Sequence, residues 1–136
     1  MAKWLLKTEP STYSWDDLVR EKRTTWDGIA NSAALKNLRA MKKGDLALIY
    51  HTGNVKAVLG VATIASNPYP DPKDKDGKGT VVDLTPKSKL SSPVTLATIK
   101  SDPAFTGFDL VRIGRLSVVS VPEPMWKRIE TLAARR

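Results

Sequence analysis

Trp26-Asp27-Gly28-Ile29-Ala30-Asn31 lies between two segments of helical periodicity and joins an aromatic plate, a carboxylate, a flexible glycine and a carboxamide. Gly28 allows a sharp turn or a close approach of the backbone to a ligand. Trp26 offers a flat apolar surface, while Asp27 and Asn31 offer hydrogen-bonding groups to the edge of something flat. These are the parts needed to hold a planar heterocycle such as a nucleobase. The alternative is a tryptophan packed into the core beside an Asp-Gly turn.

The charge of the chain indicates a polyanionic partner. The 136 residues contain 22 Lys and Arg against 14 Asp and Glu, which gives a net charge of +8. Nucleic acid is the first expected partner and an acidic membrane surface the second. Charge retained only for solubility is the alternative, because net charge by itself does not locate a site.

Length and composition favour one folded domain over residues 1–136. Apolar residues make up 41% of the chain, which is enough for a core, and there is no cysteine for a disulfide, a thiol nucleophile or a Cys-based zinc site. The only apolar run near the N-terminus is Trp4-Leu5-Leu6, too short for a signal peptide. No stretch approaches the roughly 20 apolar residues of a membrane span. We therefore expect a cytoplasmic protein that does not bind membranes.

The first half of the chain predicts alternating strands and helices. Ser14 and Asp17 have the spacing of a capping box at the start of a helix whose apolar face is Trp15, Leu18 and Val19. A second helix is expected over Ser32–Met41, and strands over Lys3–Thr8, Leu46–His51 and Ala57–Ala65. Within the last of these, Gly60 indicates a bulge or a close approach of another group to the backbone.

The second half predicts further strands and a C-terminal helix. The proline-rich segment 68–79 is expected to be a loop, with a strand over Thr80–Thr85 after it. Thr95 is expected to cap a short helix through Ile99. One or two strands are predicted over Leu110–Val121, and a helix from Pro122 or Pro124. Five or six strands with helices around them predict a small, curved or barrel-like α+β fold.

The sequence gives little support to catalysis or to metal binding. His51 is the one histidine, and no Gly-x-Ser-x-Gly elbow accompanies it. The segment 74–77 lacks the third ligand and the closing glutamate of a calcium loop, so we interpret it as a solvated turn. Carboxylates for acid–base chemistry exist at Glu9, Asp16, Asp17 and Asp27, but the two near Ser14 already serve helix capping. We expect no cofactor, no metal and no enzyme activity.

Basic and aromatic side chains are interleaved in several clusters, as is typical of nucleic-acid-binding proteins. The clusters are Lys7-Thr8-Glu9-Pro10, the Trp26 stretch, Tyr50-His51, Tyr69 among its prolines, and the segment from Arg112 to Ser117. Each cluster alone is a weak signal.

Taken together and in order, these motifs resemble the EVE domain. The resemblance is carried by Trp4-Leu5-Leu6-Lys7-Thr8-Glu9-Pro10, Tyr13-Ser14-Trp15-Asp16-Asp17-Leu18 and Trp26-Asp27-Gly28-Ile29-Ala30-Asn31, and continues through Lys42-Lys43-Gly44-Asp45, Tyr50-His51, Tyr69-Pro70-Asp71-Pro72, Pro93-Val94-Thr95-Leu96 and Arg115-Leu116-Ser117-Val118. It covers nearly the whole chain. It implies a PUA-like fold, a curved mixed β-barrel of five or six strands with flanking helices, similar to the YTH domain. It also implies a reader that accommodates a modified base of DNA or RNA.

The same resemblance implies roles for individual residues. Trp26 would be a wall of the base pocket, lined further by Lys7, Thr8 and Glu9 of the first strand and by Asp27, Gly28 and Asn31 of the loop. The family loop usually reads Trp-Asp-Gly-Val-Arg-Asn, so Ala30 stands where an arginine is usual. Physical reasoning rather than the motif adds Tyr50 and Tyr69 to the base site, and Arg112, Arg115 and Ser117 as phosphate contacts.

The leading hypothesis is a nucleic-acid-binding module that holds an extruded, modified base, with modified cytosine favoured, in an aromatic pocket. A general RNA-binding accessory protein without base selectivity is the first alternative, and an enzyme acting on a nucleotide through Glu9 or Asp27 is the second. A Trp26 face that solvent reaches would favour the reader, and a fully packed Trp26 the general RNA-binding protein. Two carboxylates converging on one point would favour the enzyme.

Overall fold

A curved mixed β-sheet organises the protein, whose structure, a computed structural model, describes residues 1–134. The strands are β1 (Lys3–Thr8), β2 (Thr24–Trp26), β3 (Leu46–His51), β4 (Ala57–Ile64), β5 (Tyr69–Pro70), β6 (Thr80–Thr95) and β7 (Val118–Ser120). Six of them follow the order β2-β6-β4-β3-β1-β7, while β5 pairs with β6 off this path. β1 runs parallel to β3, and the other described pairs are antiparallel. The predicted α+β fold with a curved mixed sheet is confirmed.

Five α-helices flank the sheet within residues 1–134. They are α1 (Trp15–Glu21), α2 (Ser32–Arg39), α3 (Leu96–Ser101), α4 (Asp109–Arg112) and α5 (Glu123–Ala134), with a short 3-10 turn over Pro103–Phe105. The predicted capping box of α1 is present, because the Ser14 side chain accepts from the Asp17 N–H and the Asp17 carboxylate accepts from the Ser14 N–H. Thr95 caps α3 as expected. None of these helices is long and apolar enough to cross a membrane.

The core lies between the interior strands and the helices. Leu5 and Leu6 of β1 and Leu48 and Ile49 of β3 are buried on both faces of the sheet, as expected of strands covered on either side. Asp45 is the buried carboxylate among residues 1–134, and it accepts from the N–H groups of Ala2, Trp4 and Lys42 at 3.0–3.2 Å. A paired carboxylate of this kind avoids the cost of an unsatisfied buried charge.

Gly60 shows both features that its position in β4 predicted. The β4–β6 register shifts between Val58 and Gly60, which marks a bulge. A Cβ atom on Gly60 would lie 2.7 Å from three ring atoms of Trp15. The glycine therefore lets the indole of α1 lie directly on the sheet.

Several boundary predictions were wrong. Trp26 ends a strand rather than lying in a loop, because β2 pairs with β6 across Trp26 and Val82. α2 ends at Arg39, two residues before the expected end. Val19 is 47% exposed and does not belong to the buried face of α1, which consists of Trp15 and Leu18.

The largest differences fall after residue 79. β6 continues ten residues beyond Thr85 to Thr95, since its second half pairs with β4. One or two strands were predicted within 110–121, and one is present, the short strand β7, whereas the first residues of the segment belong to α4. The proline-rich loop contributes the two-residue strand β5 at the edge of the sheet, where proline is tolerated.

Candidate nucleic-acid interface

A cavity of about 720 Å³ opens where β1 and β2 end and the segments after them meet; we call it the Trp26 cavity. Its walls come from four parts of the chain that are far apart in sequence. The lining residues are Lys7, Thr8, Glu9, Thr12, Tyr13, Glu21, Thr24, Thr25, Trp26, Asp27, Gly28, Ile29, Lys73 and Ser117. This volume falls in the range of pockets that take small organic ligands, roughly 300–1,000 Å³.

Two aromatic side chains form one wall of the cavity. Tyr13 stands edge-on to Trp26, with ring centroids 6.0 Å apart and an interplanar angle of 81°. The Tyr13 hydroxyl donates to Glu21 Oε1 at 2.8 Å. Trp26 is only 8% exposed, so its body packs in the core while the exposed part belongs to the cavity wall. The indole is thus packed into the core, as the general RNA-binding alternative expects, while Trp26 also belongs to the lining of the cavity.

Glu9 is fixed as an ionised carboxylate at the rim. Its Oε1 atom accepts from the Ser11 N–H at 3.1 Å and from the Ser11 hydroxyl at 2.9 Å. These bonds hold the pKa of Glu9 below its ordinary value, and the bond from the Ser11 N–H has the largest effect. Its Oε2 atom lies against Gly53, where a Cβ would approach it to 2.6 Å. Oε2 also accepts from the Thr52 hydroxyl at 3.4 Å, so both oxygens have partners on the protein.

The opposite rim is built from the loop after β2. Asp27 is half exposed and lies 3.8 Å from the ammonium of Lys73. Gly28 adopts a left-handed backbone with φ 76°, and a Cβ there would meet nothing within 4 Å. The loop therefore leaves open space beside a carboxylate that a ligand can reach.

The end of β1 supplies polar groups at the floor. Lys7 Nζ donates to the Gly114 carbonyl at 2.8 Å and lies 5.9 Å from the Tyr50 ring centroid. Burial lowers the pKa of Lys7. The Lys7 N–H donates to the Ser117 carbonyl at 3.0 Å, and the Thr8 hydroxyl donates to the Tyr13 carbonyl at 2.7 Å. These bonds tie β1 to both neighbouring walls.

The structure brings seven of the twelve predicted site residues to this cavity: Lys7, Thr8, Glu9, Trp26, Asp27, Gly28 and Ser117. Asn31 caps α2 by accepting from the Ala34 N–H at 3.0 Å. Tyr50 lines a second cavity on the other side of Lys7. Tyr69 lines a third, and its hydroxyl donates to Asp83 Oδ1 at 2.6 Å.

The two predicted phosphate-binding arginines lie on the surface outside these linings. Arg112 pairs with Asp109 at 2.7 Å, one turn earlier in the chain. Arg115 is exposed and follows Gly114, which lines the second cavity.

Sequence reasoning missed several lining residues, above all Tyr13 and Lys73. Tyr13 belongs to a motif recognised in the sequence, so its aromatic character beside the Trp26 stretch was an available signal. Lys73 comes from the proline-rich loop, and nothing local to that loop indicates that it reaches Asp27.

The carboxylates of the cavity do not form an acid–base pair. Glu9 is held by Ser11, Asp27 by Lys73 and Glu21 by the Tyr13 hydroxyl. Among residues 1–134, no three His, Cys, Asp or Glu side chains are grouped so that they could hold a metal ion. Each of these three carboxylates therefore has a partner on the protein.

Known proteins share this architecture. Human thymocyte nuclear protein 1 is 36% identical in an alignment of length 125, and the match covers 72% of this chain and 55% of that protein. The chain thus spans about half the length of that curated relative. A Rhodopseudomonas palustris protein solved by NMR has a TM-score of 0.93 at 38% identity, over 98% of this chain and 93% of that one. Human THYN1 in complex with DNA that contains 5-methylcytosine has a TM-score of 0.92 at 25% identity, over 100% of this chain and 99% of that one.

The family model of the EVE domain matches residues 2–132. With almost the whole chain matched, and with the curved sheet and the Trp26 cavity in place, this protein belongs to the EVE domain family.

Proposed function

We propose that this protein binds nucleic acid as a single-domain module and takes one extruded base, a modified cytosine by preference, into the Trp26 cavity. The observation that carries the proposal is the cavity itself, which combines the aromatic pair of Tyr13 and Trp26 with carboxylate and lysine side chains in one lining. Stacking on an aromatic side chain is worth about 1–3 kcal/mol per base.

Polar groups around the cavity suit the edge of cytosine. A carboxylate accepts a hydrogen bond from an exocyclic amine, which cytosine and adenine carry and uracil and thymine lack. Asp27 is the best placed acceptor, since it is half exposed beside the open space at Gly28. Asn31, Tyr50 and Tyr69 lie outside the lining, so we propose for them no direct contact with the base.

The relatives support the choice of ligand. The structure of human THYN1 with DNA containing 5-methylcytosine concerns a protein of the same fold over the full length of this chain. A methyl group buried on the cavity wall adds about 0.8 kcal/mol, or roughly fourfold in affinity. The preference for the modified base is therefore expected to be real but modest.

The charge of the chain supports binding to the nucleic-acid backbone. A net charge of +8 attracts phosphates and makes affinity depend on salt. Exposed Arg112 and Arg115, together with Ser117 at the cavity wall, remain our proposed phosphate contacts. Binding rather than catalysis, and a cytoplasmic location, are parts of the same proposal.

The test compares matched oligonucleotides that differ only by one methyl group. Wild-type protein, Trp26→Phe and Trp126→Phe are titrated with single-stranded DNA containing either cytosine or 5-methylcytosine. Trp126 is a matched control, because it is 4% exposed and lies in α5, away from the cavity lining. We expect the Trp26 variant to bind more weakly and the Trp126 variant to bind like the wild type.

Two results would count against the proposal. Equal affinity of the wild type for both oligonucleotides would leave a general RNA-binding module without base selectivity. Equal weakening by both tryptophan substitutions would show that only stability, and not the cavity, determines binding.

A further inference from the structure

A second cavity of about 220 Å³ lies on the other side of Lys7; we call it the lysine cavity. Its lining residues are Lys7, Tyr50, Thr52, Gly53, Lys56, Leu96, Lys100, Leu110, Val111 and Gly114. Lys7 also lines the Trp26 cavity, so the two cavities are neighbours, and the Lys7 ammonium donates to the carbonyl of Gly114 in the lining of the lysine cavity. A ligand long enough to pass Lys7 can occupy both.

The two cavities differ sharply in charge. The Trp26 cavity has three carboxylates, Glu9, Glu21 and Asp27, against the two lysines at positions 7 and 73. The lysine cavity has three lysines, and among the described residues that line it there is no Asp or Glu. Glu9, whose Oε2 atom accepts from the Thr52 hydroxyl, is a carboxylate beside the lysine cavity. The lining of the lysine cavity is nevertheless more positive than that of the Trp26 cavity, which favours an anion there.

Local backbone structure sets the positions of two of these lysines, Lys56 and Lys100. Lys56 adopts a left-handed conformation with φ 49°, which is uncommon for a residue with a side chain. Its carbonyl accepts from the Leu96 N–H at 2.8 Å, which joins the turn before β4 to the start of α3. Lys100 projects from the last turn of the same short helix. The fold thus places both ammonium groups beside one space.

The remaining lining residues suit a sugar next to a phosphate. Leu96, Leu110 and Val111 provide apolar surface, and Tyr50 presents its ring beneath the Lys7 ammonium. A nucleotide has this combination of parts, an apolar face of the sugar and an anionic phosphate one bond further on. Free inorganic phosphate would use the lysines alone.

We infer that the lysine cavity binds a backbone phosphate adjoining the base held in the Trp26 cavity. The inference rests on the proposed function, because it assigns Lys7, Lys56 and Lys100 to the strand whose base is extruded. It adds a phosphate site whose lining does not include Arg112 or Arg115, although their chain neighbours Val111 and Gly114 belong to it.

The test removes one phosphate charge from the strand and two lysine charges from the protein. Each of the two phosphates flanking the 5-methylcytosine is replaced in turn by an uncharged methylphosphonate. Wild-type protein, the double variant Lys56→Gln/Lys100→Gln and the control Lys87→Gln/Lys89→Gln are titrated with these strands. The control makes the same change of charge at two exposed lysines of β6 outside both cavities.

For the wild type and the control variant, we expect one of the two methylphosphonates to lower affinity about threefold to tenfold. The Lys56/Lys100 variant should bind the unmodified, fully charged strand more weakly than the wild type does. Introducing that methylphosphonate should lower the affinity of the variant only a little further. The slope of the logarithm of affinity against the logarithm of salt concentration should flatten by roughly 0.7–0.9 more in this variant than in the control. The variant's ratio of affinities for 5-methylcytosine and cytosine should stay unchanged.

Equal losses on methylphosphonate substitution in all three proteins would overturn the inference. An unchanged salt slope in the Lys56/Lys100 variant would do the same. If the wild type shows no preference between the two bases but the phosphate effect depends on Lys56 and Lys100, the phosphate site stands and only the base proposal fails.

Discussion

The ring of Tyr13 meets the ring of Trp26 edge-on, at a centroid separation of 6.0 Å and an angle of 81°. Tyr13 comes from the turn before α1 and Trp26 from the end of β2, so this contact joins two parts of the chain in one wall of the cavity. The hydrogen bond from the Tyr13 hydroxyl to Glu21 holds the tyrosine in turn. The orientation of the indole is therefore set before a base arrives, which lowers the cost of ordering on binding.

Substitutions of Tyr13 should distinguish the contribution of the ring contact to binding from that of the hydroxyl group. Tyr13→Phe keeps the edge-to-face pair, whereas Tyr13→Leu loses about 0.5–1.5 kcal/mol of that interaction and frees the indole. We expect the Leu variant to bind the 5-methylcytosine strand less tightly than the Phe variant. Titrations at a temperature where both variants are folded, judged by circular dichroism, make the comparison. Equal affinity of the two variants would show that Tyr13 does not position Trp26.

Gly60→Ala should destabilise the protein. The added Cβ would lie 2.7 Å from the Trp15 ring, and overpacking of this kind costs about 1–3 kcal/mol. Gly114→Ala is the matched control, because a Cβ there meets nothing within 4 Å. Urea denaturation measures the free energy of unfolding of both variants. A Gly60 variant as stable as the control would mean that Trp15 does not pack on β4 as described.

Features that depend on neighbouring residues could be predicted from the sequence. The Ser14 capping box and the Thr95 cap are set by side chains within three residues of the backbone groups they satisfy. The long β6 could not be predicted, because Pro86 and Pro93 are unusual in strands and only pairing with β4 explains its second half. Segment 110–121 has strand-like composition, yet its first residues form α4.

The candidate site was predictable where one motif supplied it. The Trp26 stretch and the end of β1 carry most of the cavity, and both were recognised. Tyr50 lies opposite Lys7 in the β1–β3 register, but it lines the lysine cavity rather than the Trp26 cavity. The contribution of Lys73 depends on a contact across 46 positions of the chain. Such contacts are properties of the folded sheet and leave no local pattern.

His51 should make stability depend on pH. Its Nε2 atom accepts from the Trp15 N–H at 3.0 Å, a bond that requires the neutral imidazole at the start of α1. Burial lowers the pKa of His51, although Asp16 and Glu9 act in the opposite direction. The unfolded chain, with a pKa of about 6.5, therefore binds the proton more readily than the folded protein. Stability should be complete above that value and should be lost as the pH falls through the lower folded pKa.

Urea denaturation between pH 7.5 and pH 5 measures this dependence. The variant His51→Gln removes the titrating group and keeps a side chain that can accept from the Trp15 N–H. We expect the variant to show a flatter profile than the wild type over this range. Identical slopes for the two proteins would assign the pH dependence to other groups.

Asp27→Asn should weaken the preference for cytosine over thymine more than it weakens the total affinity. An amide oxygen accepts from the exocyclic amine of cytosine more weakly than a carboxylate does. Lys73→Gln is the control, because it removes the partner of Asp27 and leaves the carboxylate in place. Titrations with strands that carry cytosine or thymine at the test position should show preserved preference in the control and a smaller one in the Asp27 variant. A larger loss of preference in the Lys73 variant would contradict the role of Asp27.

The most direct measurement is the NMR signal of the Trp26 indole N–H during titration with a strand that contains one 5-methylcytosine. The chain has four tryptophans, and the missing signal of Trp26→Phe identifies the relevant one. We predict that the Trp26 signal shifts in proportion to binding, while those of buried Trp4, Trp15 and Trp126 change little. A matched strand with an abasic site in place of the modified base should bind without this shift. A Trp26 signal that stays in place at saturation with the 5-methylcytosine strand would contradict the entry of the base into the cavity.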